Sequence, residues 1–146
     1  MERNNDVNIY TDGGSRGNPG VGGAGAVVEY DGMIKKYHKF LGEKVTNNEA
    51  EYEALILALK KAKQVMGKER AKRSSVACYA DSELMVKQLN HQYKLKNENI
   101  QRKFIEIWNL TLDFKKVDFS HIPREENKLA DELANKAMNE FNNKLF

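Results

Sequence analysis

With 146 residues and a mass of 16.7 kDa, the chain has the length of one domain, 1–146, with enough sequence to bury a core without disulfide or metal staples. A single cysteine, Cys78, excludes an intramolecular disulfide, and Cys78 with His38, His91 and His121 fits no zinc-ligand spacing. The formal net charge of +3 permits a nucleic-acid partner without establishing one, and no leader-like, membrane-spanning or lipidation pattern is read, so a soluble, cytoplasmic monomer is the expectation.

In chain order, Val7 to Thr11 reads as a first strand that ends on Asp12 and runs into DGGSRGNPGVGGAG, which holds seven of the ten glycines. Gly20, Gly22 and Gly25 satisfy GxGxxG, but a dinucleotide-binding loop must open a helix, and the AGAVVEY that follows is too β-branched for one. The glycines therefore read as hairpin chemistry that lets the backbone turn tightly and approach a ligand closely. Gly25 to Tyr30 and Met33 to Leu41 are the next strands, joined by a tight turn at Asp31-Gly32. A helix over Asn47 to Met66 is opened by a Thr46/Glu49 capping box and closed by Gly67. The basic run Lys68 to Arg73 reads as a solvated loop, and a strand over Ser75 to Ala80 leads into a helix over Ser82 to His91. Tyr93 to Asn99 is a connector. A helix over Ile100 to Leu112 follows, in which Trp108 reads as core rather than as a base-stacking platform. The last strand covers Lys115 to Ile122, Pro123 marks a break, and the final helix covers Asn127 to Asn142. The order βββαβααβα predicts an α/β fold: a mixed five-stranded sheet with helices on both faces.

Four carboxylates stand where structure alone would not place them. Asp12 and Asp81 follow the ends of strands, where open α/β sheets hold their ligands. Glu51 shares a helical stripe with Leu55, Ala58, Leu59 and Ala62, which turns it toward the buried face. Asp131 flanks the apolar stripe of the last helix near its positive N-terminal end. Each has an ordinary alternative. Asp12 could start a turn, Asp81 could cap the helix at Ser82, Glu51 could complement a helix dipole, and Asp131 could be a surface residue. Together they are harder to dismiss, because unit charges ~4 Å apart repel by roughly 4 kcal/mol at an effective dielectric of 20. A fold that gathers them needs a cation, and oxygen ligands without histidine or cysteine suit Mg²⁺ or Mn²⁺.

TDGGSRGNPGVGG, TNNEAEYEAL, YADSELMV and PREENKLADELA, in that order across the chain, resemble the motifs of type 1 ribonuclease H. The resemblance implies the ribonuclease H-like fold and endonucleolytic hydrolysis of the RNA strand of RNA/DNA hybrids, leaving 5′-phosphate and 3′-hydroxyl ends. It implies that Asp12, Glu51, Asp81 and Asp131 hold two Mg²⁺ ions, with Mn²⁺ as a substitute, one activating water and the other stabilising the leaving 3′-oxygen. It assigns minor-groove contacts to Asn18, Asn47, Asn48 and Ser82, with Gly13 offering its backbone to the substrate. For the asparagines, turn and cap chemistry is the alternative.

The chain also departs from the better-known bacterial pattern. Glu83 stands where a glutamine that touches the substrate is common, and NHQYKLKNENIQRK offers only a short basic connector in place of a long tryptophan-rich protrusion. The layout resembles compact archaeal-type and related bacterial members, some of which also act on double-stranded RNA. Before Asp131 many members carry an accessory histidine. His121 has a suitable spacing but shares a strand face with Val117 and Phe119, whereas Arg124 lies in the loop after Pro123, where compact members place an arginine. Arg124 is therefore the expected accessory residue and His121 the alternative. Two other classes stay open, a catalytically weak hybrid-binding module and another metal-dependent nuclease of the same fold.

Overall fold

The alternation in VNIYT buries Val7, Ile9 and Thr11 on one face and leaves Asn8, Tyr10 and Asp12 on the other, as the two-residue period of a strand requires. In the computed structural model, which describes residues 5–144, this strand is β1 (Val7–Gly17). It is joined by β2 (Gly20–Tyr30), β3 (Met33–Val45), β4 (Ser75–Ala80) and β5 (Lys116–His121) in one sheet of order β3-β2-β1-β4-β5. The β1, β2 and β3 strands form an antiparallel meander, and β4 and β5 add in parallel. The helices are α1 (Asn47–Met66), α2 (Lys68–Lys72), α3 (Glu83–Leu89), α4 (Glu98–Thr111) and α5 (Lys128–Lys144), with a 3-10 turn at Arg124–Glu126.

α1 fills the centre of one face. Its stripe of Tyr52, Leu55, Ala58, Leu59 and Ala62 packs in one core with Val7, Ile9, Val28 and Val76. The Tyr52 hydroxyl donates to Oε1 of the buried Gln88 at 2.7 Å, which ties α1 to α3. α4 lies against α1, and α5 covers the opposite face, where Ala130 and Leu133 meet Val27 and Tyr10. The expected mixed sheet with helices on both faces is thus what the sequence forms. No helix among the described residues is long and apolar enough to cross a membrane.

The glycine-rich segment is strand rather than loop. β1 runs on from Thr11 to Gly17 and β2 starts at Gly20, with the ladder unbroken from Asn8↔Glu29 to Gly17↔Gly20. The reason lies in the helices. A Cβ on Gly13 would fall 2.1 Å from the Ala50 carbonyl oxygen, and one on Gly25 would fall 2.3 Å from that of Ala130. These glycines let α1 and α5 sit directly on the strand backbone, so the missing side chain at Gly13 serves helix packing.

Two further expectations are corrected. The basic run after Gly67 is not a loop but the one-turn helix α2, restarted after Gly67 at φ 83° and seated by the buried Ala71. Trp108 is not core: it is 56% exposed, beside the exposed Ile105 and Leu112, and its ring meets Phe104 edge-on. α4 carries more apolar residues than one stripe can bury, and Ile100 and Ile107 take the buried positions.

Gly25→Ala should destabilise the fold by about 1–3 kcal/mol, read as a lower midpoint of urea unfolding, because its Cβ meets helix backbone that cannot rotate away. An unchanged midpoint would show that α5 is not seated on β2 as described.

Candidate active site

Parallel pairing of β1 with β4 aligns Thr11 with Ala80, so Asp12 and Asp81 leave neighbouring strands side by side. Strand spacing alone sets their backbones about 4.8 Å apart. Glu51 reaches the same place from α1, just past its first turn. That turn is fixed by the expected capping box, in which Thr46 Oγ1 accepts from Glu49 N at 3.1 Å and Glu49 Oε1 accepts from Thr46 N at 3.0 Å. One carboxylate oxygen from each of Asp12, Glu51 and Asp81 lies within 4.8 Å of the others. Asp131 is on the adjoining wall, outside this trio, with Oδ1 3.7 Å from the Arg124 guanidinium.

Crowding and partial burial make these acids reluctant to ionise. Asp12 is pushed from 3.8 up to about 9, first by burial, then by the Asp81 charge, a hydrogen bond with Asp131, and the charges of Glu51 and Asp131. Burial and the Asp81 charge push Glu51 from 4.5 up to about 8, and a hydrogen bond from Ser82 pulls the other way. Acids that would otherwise take up protons, presenting only oxygen donors, fit a hard divalent cation. The donor set therefore matches the metal-binding role expected of Asp12, Glu51 and Asp81.

The carboxylates open into a cleft of about 510 Å³ whose walls include Gly13, Asn47, Arg124 and Asp131. Arg124 is 79% exposed there, while His121 ends β5 opposite Ala80, exposed and off the cleft wall. Asn18 and Asn47 carry out the fold chemistry given as their alternative: Asn18 Oδ1 accepts from Asn47 N and Asn47 Oδ1 from Ser15 N, each at 3.0 Å. These bonds pin the β1–β2 hairpin to the start of α1. Both side chains use their oxygen, and neither Nδ2 donates among the described residues. Asn48 lies on a separate, smaller hollow with Gln88, Tyr93 and Lys96, and its buried Oδ1 has no hydrogen-bond partner among the described residues. Ser82, not Asp81, caps α3, accepting from Met85 N at 3.2 Å. Glu83 is held by Lys87 at 3.2 Å.

Arg16 and Asn135 also line the cleft, and the sequence reading missed both. Arg16 shares the strand parity of Asp12, a signal hidden once the first strand is ended at Thr11. Asn135 stands one helical turn after Asp131, and its Nδ2 donates to the Asp131 carbonyl at 3.1 Å.

The family profile described as reverse transcriptase-like matches residues 10–137. The ribonuclease HI of Halobacterium salinarum is 36% identical over 140 residues, which covers 95% of this chain and 67% of that protein. The bifunctional protein Rv2228c of Mycobacterium tuberculosis is 36% identical over 135 residues, 90% of this chain and 35% of that protein. The chain thus spans about a third of the length of the mycobacterial relatives it matches. The crystal structure of LC11-RNase H1 in complex with RNA/DNA hybrid superposes with a TM-score of 0.85 at 40% identity, covering 92% of this chain and 97% of that one.

Without metal, the folded protein keeps protons on Asp12 and Glu51 that the unfolded chain releases near 3.8 and 4.5. Their contribution is therefore fully present at acid pH and is lost as pH rises toward about 9 and 8. Asp12→Asn, which cannot ionise, should gain in melting temperature over the wild type as pH is raised through this window in EDTA. Divalent metal should narrow the gap by stabilising the wild type more. A pH-independent difference between the two would contradict the crowding.

Proposed function

The chain belongs to the type 1 ribonuclease H family, and from that membership we propose that it cleaves the RNA strand of RNA/DNA hybrids endonucleolytically, giving 5′-phosphate and 3′-hydroxyl ends. One observation carries the reading: oxygens of Asp12, Glu51 and Asp81 within 4.8 Å of one another, drawn from two strands and a helix to one cleft. Mg²⁺ is the proposed cofactor, with Mn²⁺ able to replace it, because the donors are hard oxygens. Bound ions supply an activated water and neutralise charge on the leaving oxygen.

The chain itself does the rest. Asp12, Glu51 and Asp81 would hold the cations as a trio, and Asp131, beside Asp12, would complete the ligand set from the adjoining wall. Arg124 meets a phosphate oxygen there. As an arginine it stays protonated, so its help is electrostatic and not proton transfer. Asn18 and Asn47 each retain an Nδ2 donor suited to the 2′-hydroxyl that separates RNA from DNA. Ser82 instead supports Glu51 and caps α3, so a groove contact from it is secondary. The single, buried Cys78 thiol suits the reducing cytoplasm as the place of action.

Incubation with Mg²⁺ and labelled hybrid, duplex DNA or duplex RNA tests the proposal directly, and failure to cut hybrid would refute it. Asp12→Asn and Asp81→Asn should abolish hybrid cleavage while the circular dichroism of the fold is retained. Cleavage at near wild-type rate by either variant would remove that residue from the site.

For the accessory residue, Arg124→Ala should lower kcat by roughly ten- to a thousandfold, as expected for loss of a charge-stabilising donor. His121→Ala should do much less. Steady-state kinetics at saturating Mg²⁺ decide between them, since a large kcat loss confined to His121→Ala would reverse the roles.

A further inference from the structure

We propose that Asn127 is a positioning residue that holds Asp131 and Arg124 in register with Asp12. The inference rests on the reading of the cleft as a divalent-metal phosphodiesterase site. Asn127 lies between the 3-10 turn and α5, only 2% exposed. Its side-chain Nδ2 donates to the carbonyl of Thr11, itself buried, at 2.8 Å. Thr11 is the residue immediately before Asp12 in β1. The main chain of Asn127 makes two further ties: its N–H donates to the Arg124 carbonyl at 3.0 Å, and its carbonyl accepts from Asp131 N at 3.1 Å. A single residue is thus bonded to Arg124, to Asp131 and to the neighbour of Asp12.

Local chemistry would use this side chain differently. An asparagine just before a helix ordinarily turns its oxygen onto the helix's free N–H groups as a cap. Here Oδ1 is buried and has no hydrogen-bond partner among the described residues. Bonding to a carbonyl requires the amide nitrogen, so the orientation is set by Thr11. Leaving a buried acceptor unpaired is destabilising, so stability alone does not account for a carboxamide in this place. Position does. Asp131 and Asp12 repel when ionised, and the Asn127 tie sets how far α5 can retreat from β1. A side chain that orients metal ligands in this way acts on metal affinity without touching the substrate.

The test is titration calorimetry of Mn²⁺ alone into the full chain, joined to steady-state kinetics on a hybrid. Asn127→Asp keeps the shape but replaces the donor, and Asn127→Ala removes it. Should the alanine variant fail to fold, the aspartate isostere carries the test, with its melting temperature as the control. Either variant should weaken Mn²⁺ binding by about ten- to a hundredfold and lower kcat, with KM for the hybrid unchanged. Introduced into Asp131→Asn, the same change should weaken Mn²⁺ binding little further, since Asn127 acts through Asp131. Wild-type Mn²⁺ affinity in both variants, or an undiminished loss in the Asp131→Asn background, would overturn the inference while leaving the cleft reading intact. Absence of Mn²⁺ binding by the wild type would overturn both.

Discussion

Like charges gathered in a partly dry place are what the rest of this structure has to withstand. At an effective dielectric of 20, two carboxylates ~4 Å apart repel by roughly 4 kcal/mol, and Asp12 has Glu51, Asp81 and Asp131 around it. Flexible side chains on loops would relieve such crowding by moving apart. Here the acids are carried by a strand in mid-sheet, the end of its parallel neighbour, and two helices bedded on the sheet. Separation is therefore opposed by main-chain hydrogen bonds and by the buried core, not by the side chains that repel.

Bedding the helices is the work of small residues. Gly13 admits the first turn of α1, and Gly23 and Gly25 admit α5, each at a distance where a methyl group would strike helix backbone. Close seating lets a side chain as short as that of aspartate reach across from α5 toward β1. Gly13, Gly23 and Gly25 stand both in the β1–β2 ladder and under a helix, which holds these two strands together through the glycine-rich run. Polar ties complete the frame at the hairpin tip, where Ser15, Asn18 and Asn47 join β1 to α1.

What could be read from the sequence was what short-range chemistry determines. Thr46 and Glu49 announced the start of α1, Asp31-Gly32 the tight turn, and the alternation of VNIYT the strand that carries Asp12. The stripe from Leu55 to Ala62 turned Glu51 inward, and the structure places it there. Features set by distant partners stayed hidden. The extension of β1 past Thr11 depends on β2 across the ladder, and with it went the parity of Arg16. Whether Trp108 is buried depends on how much of α4 the α1 surface can cover. Ser82 rather than Asp81 caps α3, a choice between adjacent residues that local propensity leaves even. The use of Asn127 depends on Thr11, 116 residues away in the chain.

The parallel pairing of Thr11 with Ala80 also bears on how such a protein can change over evolutionary time. The spacing of Asp12 and Asp81 follows from that of the adjacent strands they leave, and every residue type but proline makes the same main-chain hydrogen bonds. Core side chains can be exchanged, and helices can rotate a little to suit them, without altering that interval. The geometry most demanding of accuracy is thus referred to the part of the molecule least sensitive to mutation. Drift in the interior should register in stability long before it registers in the placement of these two acids, which makes the site heritable across lineages whose cores have little left in common.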